Sequence, residues 1–337
     1  MRIRTNYFKQ NLLILLILLF SAVLSGQQNE STLPDSLNPH LILEMDLSNS
    51  VDYYYELIKF YILEEEFDLA LTYLDSISSN MTDSLYYFKG LSYKGKEDWD
   101  NAALNFGASI KCYRHKEIMD AATNQLKATL KNLPPMLAIE KLSGFINDLN
   151  KGELLAHFLF IMAWVYEENQ LFEEANDVYQ TIIRETNYED KINTKLKIAT
   201  NYIFLKEFAN AKTILQPIIA LNDSIYNQDA IFYNYIANFS LEDFASARTD
   251  LLRLYLEYPD HPNKAEILQG LAKVFEKEQQ YILSWYMLTE LMQNSNEVQK
   301  FVIQQEIERL IDLIGSEEIK VDQFEYLKPV FDEQFIK

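Results

Sequence analysis

One pattern recurs along most of this chain: a large residue, aromatic in all cases but one, is followed three places later by a small residue. The small residues lie 32, 36, 37, 36, 36 and 37 positions apart, and they are Ala70, Ala102, Ala138, Ala175, Ala211, Ala247 and Ser284. A large residue follows each of them four positions later, a spacing that places both on one face of an α-helix. Such regular spacing predicts an array of similar structural units.

Each unit contains two amphipathic stretches that are joined by a polar corner, such as Glu64-Glu65-Glu66. No stretch alternates between apolar and polar residues for long enough to predict a strand, so we expect an all-α protein. The large residues at the corners are predicted to pack between helices; they are Phe67, Trp99, Phe172, Phe208 and Phe244. Because one helical hairpin cannot bury its apolar surface alone, neighbouring hairpins must stack on each other.

The second unit carries the clearest motif, with Tyr86, Gly90 and Tyr93 followed by Ala102 and Phe106. This motif resembles the tetratricopeptide repeat (TPR) pattern W-x2-L-G-x2-Y…A-x3-F…P. The resemblance implies a right-handed α-solenoid of about seven TPR-like hairpins with a C-terminal helical cap, in which the first helix of each hairpin lines a concave groove. The sequence departs from the family in three ways: its tryptophan is missing, its glycine appears once, and the spacing exceeds 34 residues.

Two places in the array are expected to be irregular. The unit over residues 116–150 matches the pattern least well, because a proline stands in the position of the corner aromatic. Pro217 lies inside a predicted second helix, where the missing N–H group predicts a kink.

The first 26 residues predict an export signal. Arg2, Arg4 and Lys9 precede an apolar run that begins at Leu12 and is too short for a comfortable membrane span. Gln27 stands where a bacterial lipoprotein signal would need cysteine, so lipid attachment is not expected. We expect a periplasmic or extracellular protein, most simply of a bacterial envelope, with an uncleaved N-terminal anchor as the alternative.

The remaining boundaries follow from composition and from the end of the repeats. Residues 27–47 are polar and contain two prolines, which predicts a flexible linker. Residues 48–293 form the predicted TPR-like domain, and residues 294–337 the C-terminal capping helices, beginning with one long helix over residues 294–314. No integral membrane span is expected in the mature chain.

Charge and cysteine content exclude several functions. With 30 basic and 50 acidic residues the chain has a formal charge of −20, which disfavours nucleic acid and favours a basic or neutral partner. Cys112 is the single cysteine, and the pair Cys112-x-x-His115 lacks the second pair that a zinc site needs. No nucleotide-binding loop or catalytic constellation is present, so we predict no enzyme activity, no cofactor and no metal.

The resemblance also implies which side chains face the groove. Placing the family register on this sequence selects Tyr55, Lys59, Tyr87, Leu91, Phe160, Trp164, Leu196 and Phe232 or Tyr233. Aromatic side chains bury large areas at low entropic cost, which suits a surface that binds peptides. The alternative, that these rings pack against neighbouring helices, stays open at this stage. The Lys, Asn and Arg pattern of the family's best-known carboxylate clamp is missing, so capture of a free C-terminal carboxylate is not predicted.

These observations favour an exported, non-enzymatic scaffold or adaptor that binds a peptide segment or a protein partner in its groove. One alternative is a structural component of an envelope assembly or secretion machine. A second alternative is a small-ligand receptor or an enzyme, which the missing polar constellation disfavours. The sequence predicts no oligomeric state.

Overall fold

A computed structural model describes residues 51–77, 82–149, 152–186, 188–223, 225–293 and 295–314. These residues form fifteen α-helices and no strand. In chain order the helices are α1 (Val51–Leu63), α2 (Phe67–Ser76), α3 (Asp83–Gly95), α4 (Trp99–Lys111), α5 (Lys116–Leu130), α6 (Pro135–Asn147), α7 (Glu153–Glu168), α8 (Phe172–Glu185), α9 (Lys191–Phe204), α10 (Phe208–Leu221), α11 (Asn227–Ser240), α12 (Phe244–Glu257), α13 (Lys264–Lys277), α14 (Tyr281–Gln293) and α15 (Glu297–Ile314). The predicted signal and linker lie outside the described residues.

The chain divides into two compact units, Met1–Leu57 and Ile58–Lys337. The described part of the first unit is the beginning of α1. The second unit holds the rest of α1 and the other described helices, which follow one another as hairpins from α1–α2 to α13–α14, with α15 after the last hairpin. The all-α helical repeat that the sequence predicts is therefore confirmed.

The seven small residues lie at the packed centre of the hairpins. Six of them, all alanines, have no exposed surface, and Ser284 is 1% exposed. The residues four positions later are buried as well: Leu74, Phe106, Leu142, Tyr179, Leu215, Leu251 and Leu288. A larger side chain at a small position would separate the helices, and Gly90 illustrates this limit, because a Cβ atom there would lie 2.6 Å from the ring of Phe106. The repeat in the sequence is thus the repeat of the core.

Six corners share one backbone geometry that the sequence alone did not predict. In each, the residue two positions before the corner aromatic has a left-handed backbone, with φ between 58° and 62°: Glu65, Glu97, Gln170, Lys206, Glu242 and Gln279. The next residue donates its N–H group to a carbonyl five positions earlier, as in Glu207 N to Tyr202 O at 2.8 Å. This is the Schellman helix ending, here formed without glycine.

The corner of the third hairpin has a different backbone path, which explains why this unit matches the repeat pattern least well. Its corner passes through Leu133 and Pro134 before α6 begins at Pro135, a residue whose fixed φ and missing N–H suit the first helical position. Ala138 and Leu142 are nevertheless fully buried at the repeat positions. The packing register therefore survives where the corner motif does not.

Pro217 and the long C-terminal helix can be compared with their predictions. Helix α10 continues past Pro217 to Leu221, so the proline does not end it, and a left-handed Asn222 follows. The long helix predicted over residues 294–314 is observed as Glu297–Ile314. Residues 315–337 of the predicted cap lie outside the described residues.

Candidate partner-binding face

The structure brings part of the predicted groove lining together on α3 and α7. Tyr87 and Leu91 are one helical turn apart on α3, and Phe160 and Trp164 are one turn apart on α7. All four side chains are half-buried and pack on core residues while keeping part of their surface exposed. We call the side of the first helices α3, α5, α7, α9 and α11 that carries these positions and their equivalents the first-helix face.

Two of the aromatic rings have contacts with neighbouring helices. The ring of Tyr87 lies 5.9 Å from the ring of Phe106, and burial raises the pKa of its hydroxyl, although a hydrogen bond with Gln125 on α5 opposes the rise. The ring of Phe160 lies 5.0 Å from that of Tyr188. Each of these rings therefore supports the packing and keeps part of its surface exposed.

Trp164 has a different environment, because cations lie over its ring. The Nζ atoms of Lys127 in the last turn of α5 and of Lys131, the residue that follows this helix, are 5.2 and 5.3 Å from the ring centroid. Ammonium groups at this distance are attracted by the negative face of an indole. Lys131 also forms an ion pair with Glu168, at 2.7 Å. What this part of the face offers to a partner is therefore positive charge as much as aromatic surface.

Lys127 is the least compensated charge of this group. It is half-buried, and it forms no hydrogen bond or ion pair with any residue that the structure describes. Desolvation by burial lowers the pKa of its ammonium group, and the charge of Lys197 on α9 lowers it further. The charges of Glu167 and Glu168 act in the opposite direction without cancelling the shift. The protein thus holds a cation where its charged form is disfavoured.

The two carboxylates that act on Lys127 are already engaged by other groups. Glu167 accepts a hydrogen bond from the hydroxyl of Tyr179, at 3.0 Å, and Glu168 pairs with Lys131. Lys197 is exposed and has no hydrogen bond or ion pair within the described ranges. We call Lys127, Lys131 and Lys197, together with Trp164, the lysine cluster.

A neutral histidine ties α5 to α7 beside the cluster. The hydroxyl of Thr123 donates to the carbonyl of Met119 at 2.7 Å, so its oxygen accepts from Nε2 of His157, at 2.8 Å. Burial lowers the pKa of His157, and Lys127 lowers it further. The imidazole therefore stays uncharged near neutral pH and fixes the spacing of the two helices.

Asp83 holds the beginning of α5 in place. Its carboxylate is 1% exposed and accepts hydrogen bonds from the backbone N–H groups of Ser84, Arg114 and His115, at 2.9, 3.1 and 3.0 Å. Nδ1 of His115 lies 3.1 Å from the same carboxylate. Burial raises the pKa of Asp83, but these donors outweigh it and lower the pKa overall. His115 therefore has a structural partner, and Cys112 ends α4.

Two predicted site residues further along the chain are only partly in place. Leu196 belongs to the core, at 7% exposure among Ala199, Ala211 and Leu215, so its assignment to the groove is corrected. The physical reason is that groove and core positions are neighbours on a helix, and a small rotation of α9 exchanges them. Thr200, one turn later, is half-buried instead.

Tyr233 on α11 is half-buried and extends the set, with its hydroxyl hydrogen-bonded to Thr200, while burial raises its pKa. Its neighbour Phe232 stacks on the imidazole of His261, with ring centroids 5.6 Å apart, and packs on the core around α12 and α13. On α1, Tyr55 is half-buried and Lys59 is exposed.

Sequence analysis missed Lys127, although the repeat contains the signal. Counting back eleven positions from the small residues of five successive hairpins gives Lys59, Leu91, Lys127, Trp164 and Thr200. Lys127 thus occupies in the third hairpin the position of Trp164 in the fourth. The hairpin that contains Lys127 matches the repeat pattern least well, because a proline occupies the position of its corner aromatic.

A cavity between two second helices has a different charge pattern. A shallow cavity of about 480 Å³ lies between α4 and α6, and Leu104, Cys112 and Phe145 are among the residues that line it. Both lysines that line it are paired, Lys111 with Asp148 at 3.3 Å and Lys141 with Asp100 at 2.7 Å. On the first-helix face, by contrast, an unpaired and half-buried cation lies against an aromatic ring, which makes that face the stronger candidate.

Neither a candidate metal site nor a candidate membrane span occurs within the described residues. Within those ranges, no three histidine, cysteine, aspartate or glutamate side chains are grouped so that they could hold a metal ion. Within the same ranges, no helix combines the length and the apolar character that crossing a membrane requires.

No protein-family model matches this chain. No curated protein matches its sequence significantly. Among solved structures, the C-terminal part of a TPR repeat-containing protein from Cytophaga hutchinsonii is similar, with a TM-score of 0.49 and 13% identity over 73% of this chain and 97% of that one. The APC/C hetero-tetramer Cut9-Hcn1 gives a TM-score of 0.43 and 14% identity over 80% of this chain and 51% of that chain. The apo form of the quorum sensor NprR from B. thuringiensis gives a TM-score of 0.35 and 17% identity over 82% of this chain and 92% of that chain.

These likenesses are too distant to indicate function. The protein's own hairpins define the fold: the small residues recur at nearly constant spacing, and each is buried between two helices of the described chain. The described part of the chain is a TPR-like array of helical hairpins.

Proposed function

We propose that the protein is an exported scaffold or adaptor that binds a peptide segment or a protein surface on the first-helix face and performs no catalysis. One observation carries the proposal: the first helices α3, α7 and α11 present half-buried aromatic side chains, and Lys127 on α5, which has no ion pair within the described chain, lies over one of these rings. Rings that are held by the core and partly exposed can contact a partner with little loss of entropy.

The arrangement also indicates the manner of binding. The candidate residues are spread over α3, α5, α7, α9 and α11 rather than gathered around one deep pocket. Affinity would therefore come from several shallow contacts along an extended segment, with a few anchors supplying most of it. Trp164 and Tyr87 are the strongest candidates for such anchors.

Site-specific photocrosslinking in an envelope extract of the producing cells tests this proposal. Benzoylphenylalanine would replace Phe160 or Tyr233 on the first-helix face, and Tyr113, which is 50% exposed beyond the end of α4, as the matched control. Each exchange replaces one aromatic side chain by another, so the packing is largely kept. We expect adducts of defined mass from the first two positions and not from the third.

A variant with Tyr87→Ala and Trp164→Ala completes the test. Because both rings also contact the core, its helicity and its unfolding midpoint must first be compared with those of the wild type. A folded variant should lose the captured partner. Equal crosslinking from all three positions, or unchanged capture by the folded variant, would exclude the first-helix face as the binding surface.

A specific observation also favours the alternative, a structural role in an envelope assembly. The beginning of α15 exposes Val298, Phe301 and Val302, at 78%, 66% and 56%, while Ile303 and Ile307 of the same helix are buried. Such an apolar patch suits a contact with another subunit. Sedimentation of the mature protein with membranes or in large complexes, abolished by Phe301→Glu, would support this role. A monomer that stays in the supernatant would exclude it.

A further inference from the structure

Two lysines of the lysine cluster have no ion pair with another residue of the described chain. Lys127 is half-buried against Trp164 without a hydrogen-bond acceptor, and Lys197 faces the same region from the neighbouring first helix without an ion pair in the described chain. Lys131 differs, because Glu168 neutralises it. Neither Lys127 nor Lys197 is paired with a carboxylate of the described chain, and the region keeps an excess of one positive charge, because Glu167 and Glu168 offset two of the three lysines.

A partner that covers this face must deal with these charges. A neutral segment would remove water from both ammonium groups and give nothing in return, which is unfavourable for buried ions. A basic segment would add repulsion to the loss of water. A segment with carboxylates would replace the lost water by charge-assisted hydrogen bonds, which are the stronger kind.

We infer that the segment bound at α5, α7 and α9 is acidic, with aspartate or glutamate side chains that pair with Lys127 and Lys197 beside Trp164. This inference rests on the proposed function, since it names the partner chemistry of the same face. It also reverses the expectation from net charge. The formal charge of −20 describes the whole chain, whereas a bound segment responds most strongly to the few charges within about 8–10 Å of it.

The test uses a random library of 12-residue peptides displayed on phage and selected on the full protein at 0.15 M salt. Displayed peptides have no free C-terminal carboxylate, so any enriched acid acts through its side chain. Three proteins are compared: the wild type, the variant Lys127→Gln with Lys197→Gln, and a control with Lys195→Gln and Lys277→Gln. The control also removes two positive charges, but from exposed lysines that have no ion pair within the described residues.

We expect the wild type and the control to enrich acidic peptides. An enriched peptide, synthesised with an amidated C-terminus and a fluorescent label, should lose roughly tenfold or more in affinity for the Lys127 and Lys197 variant. Its affinity for the control variant should change by less than about twofold, as expected for exposed charges. A Glu→Gln version of the peptide should show the same loss on the wild type and no further loss on the variant.

Other outcomes overturn the inference in distinguishable ways. Enrichment of neutral or basic peptides would exclude an acidic partner and leave the proposed function standing. Acidic peptides that bind the lysine variant as tightly as the wild type would place the acid elsewhere. The absence of any enrichment would overturn both the inference and peptide binding on this face.

Discussion

Two half-buried ionisable groups in this protein have opposite environments. Asp250 on α12 accepts hydrogen bonds at Oδ2 from the side-chain amides of Asn234 and Asn238 on α11, at 2.7 and 2.8 Å. Burial raises its pKa to about 6 against the effect of these donors. Lys127 on α5 has the ring of Trp164 as its contact and no acceptor in the described chain.

The difference teaches how a structural charge can be told from one that is left for a partner. Asp250 is satisfied by the first helix of its own hairpin, and mutual contacts of this kind close the hairpin. Lys127 is half-buried and has no acceptor in the described chain, so its acceptor must be water or a second molecule. The predictions below test each side of this comparison, beginning with the largest expected effect.

Removing both amides from Asp250 should cost the most. In the variant Asn234→Ala with Asn238→Ala, a buried carboxylate loses its two donors, and the free energy of unfolding at pH 7.5 should fall by about 3–5 kcal/mol. Urea unfolding measures this change. A matched variant with the exposed Asn132→Ala and Asn210→Ala should change by less than about 1 kcal/mol. Equal losses in the two variants would mean that Asp250 is not a structural charge.

The pH dependence of stability should show the same group. The pKa of this carboxyl is about 6 in the folded protein, above its ordinary value of 3.8. Its contribution to the free energy of unfolding is therefore fully present below pH 3.8 and is lost as the pH rises through 6. The loss is at most about 3 kcal/mol. The variant Asp250→Asn should remove this part of the pH dependence and exceed the wild type in stability at pH 7.5.

The exchange Asp250→Asn has a structural reason to succeed. Its amide oxygen can accept from Asn234 and Asn238 as the carboxylate does. The side-chain oxygens of those two residues are buried without a donor in the described structure, and the exchange adds an amide donor beside them. The difference between the two urea-unfolding curves from pH 4 to pH 8 is the measurement, and parallel curves would contradict the assignment.

Replacing Lys127 should stabilise the protein slightly while it weakens binding. In Lys127→Met the disfavoured charge is gone and the apolar stem is kept, so the free energy of unfolding at pH 7 should rise by about 0.5 kcal/mol; the gain is small because water still screens the half-buried group. Lys195→Met, an exposed lysine on α9, is the control and should leave it unchanged. A clear loss of stability in Lys127→Met would show that Lys127 serves the fold.

The smallest effect concerns the interaction between the two lysines. Because Lys197 lowers the pKa of Lys127, the variant Lys197→Gln should raise that pKa. NMR titration of the lysine side chains over pH 8–12 measures it directly. Lys195→Gln serves as the control with no expected shift, and an unchanged Lys127 in Lys197→Gln would show that the two groups do not form one cluster.

The sequence predicted the core better than the binding face, for a physical reason. A small residue at a helix crossing is required by close approach, so Ala70 or Ala247 can be recognised one by one and checked by their spacing. A binding position has no such steric requirement. Leu196 was assigned to the face and is buried, while Lys127 was overlooked because the corner of its hairpin is formed by Pro134 and Pro135.

The six left-handed corners show a similar limit. Glycine would have marked them in the sequence, but Glu242 and Lys206 adopt the same backbone, because the Schellman hydrogen bonds and the packing of the following aromatic hold them there. Local propensity did not reveal these positions. The contacts of the folded hairpin did.

The sequence by itself therefore determined the helical hairpins, their number in the described chain and the residues that let them pack, because close packing permits few side chains at each crossing. Only the tertiary structure decided which charges are satisfied. Asp250 has amide donors and Lys127 has no acceptor because of groups on other helices, and these distances are set by the packing of helices within a hairpin and between hairpins, not by the spacing of residues along the chain.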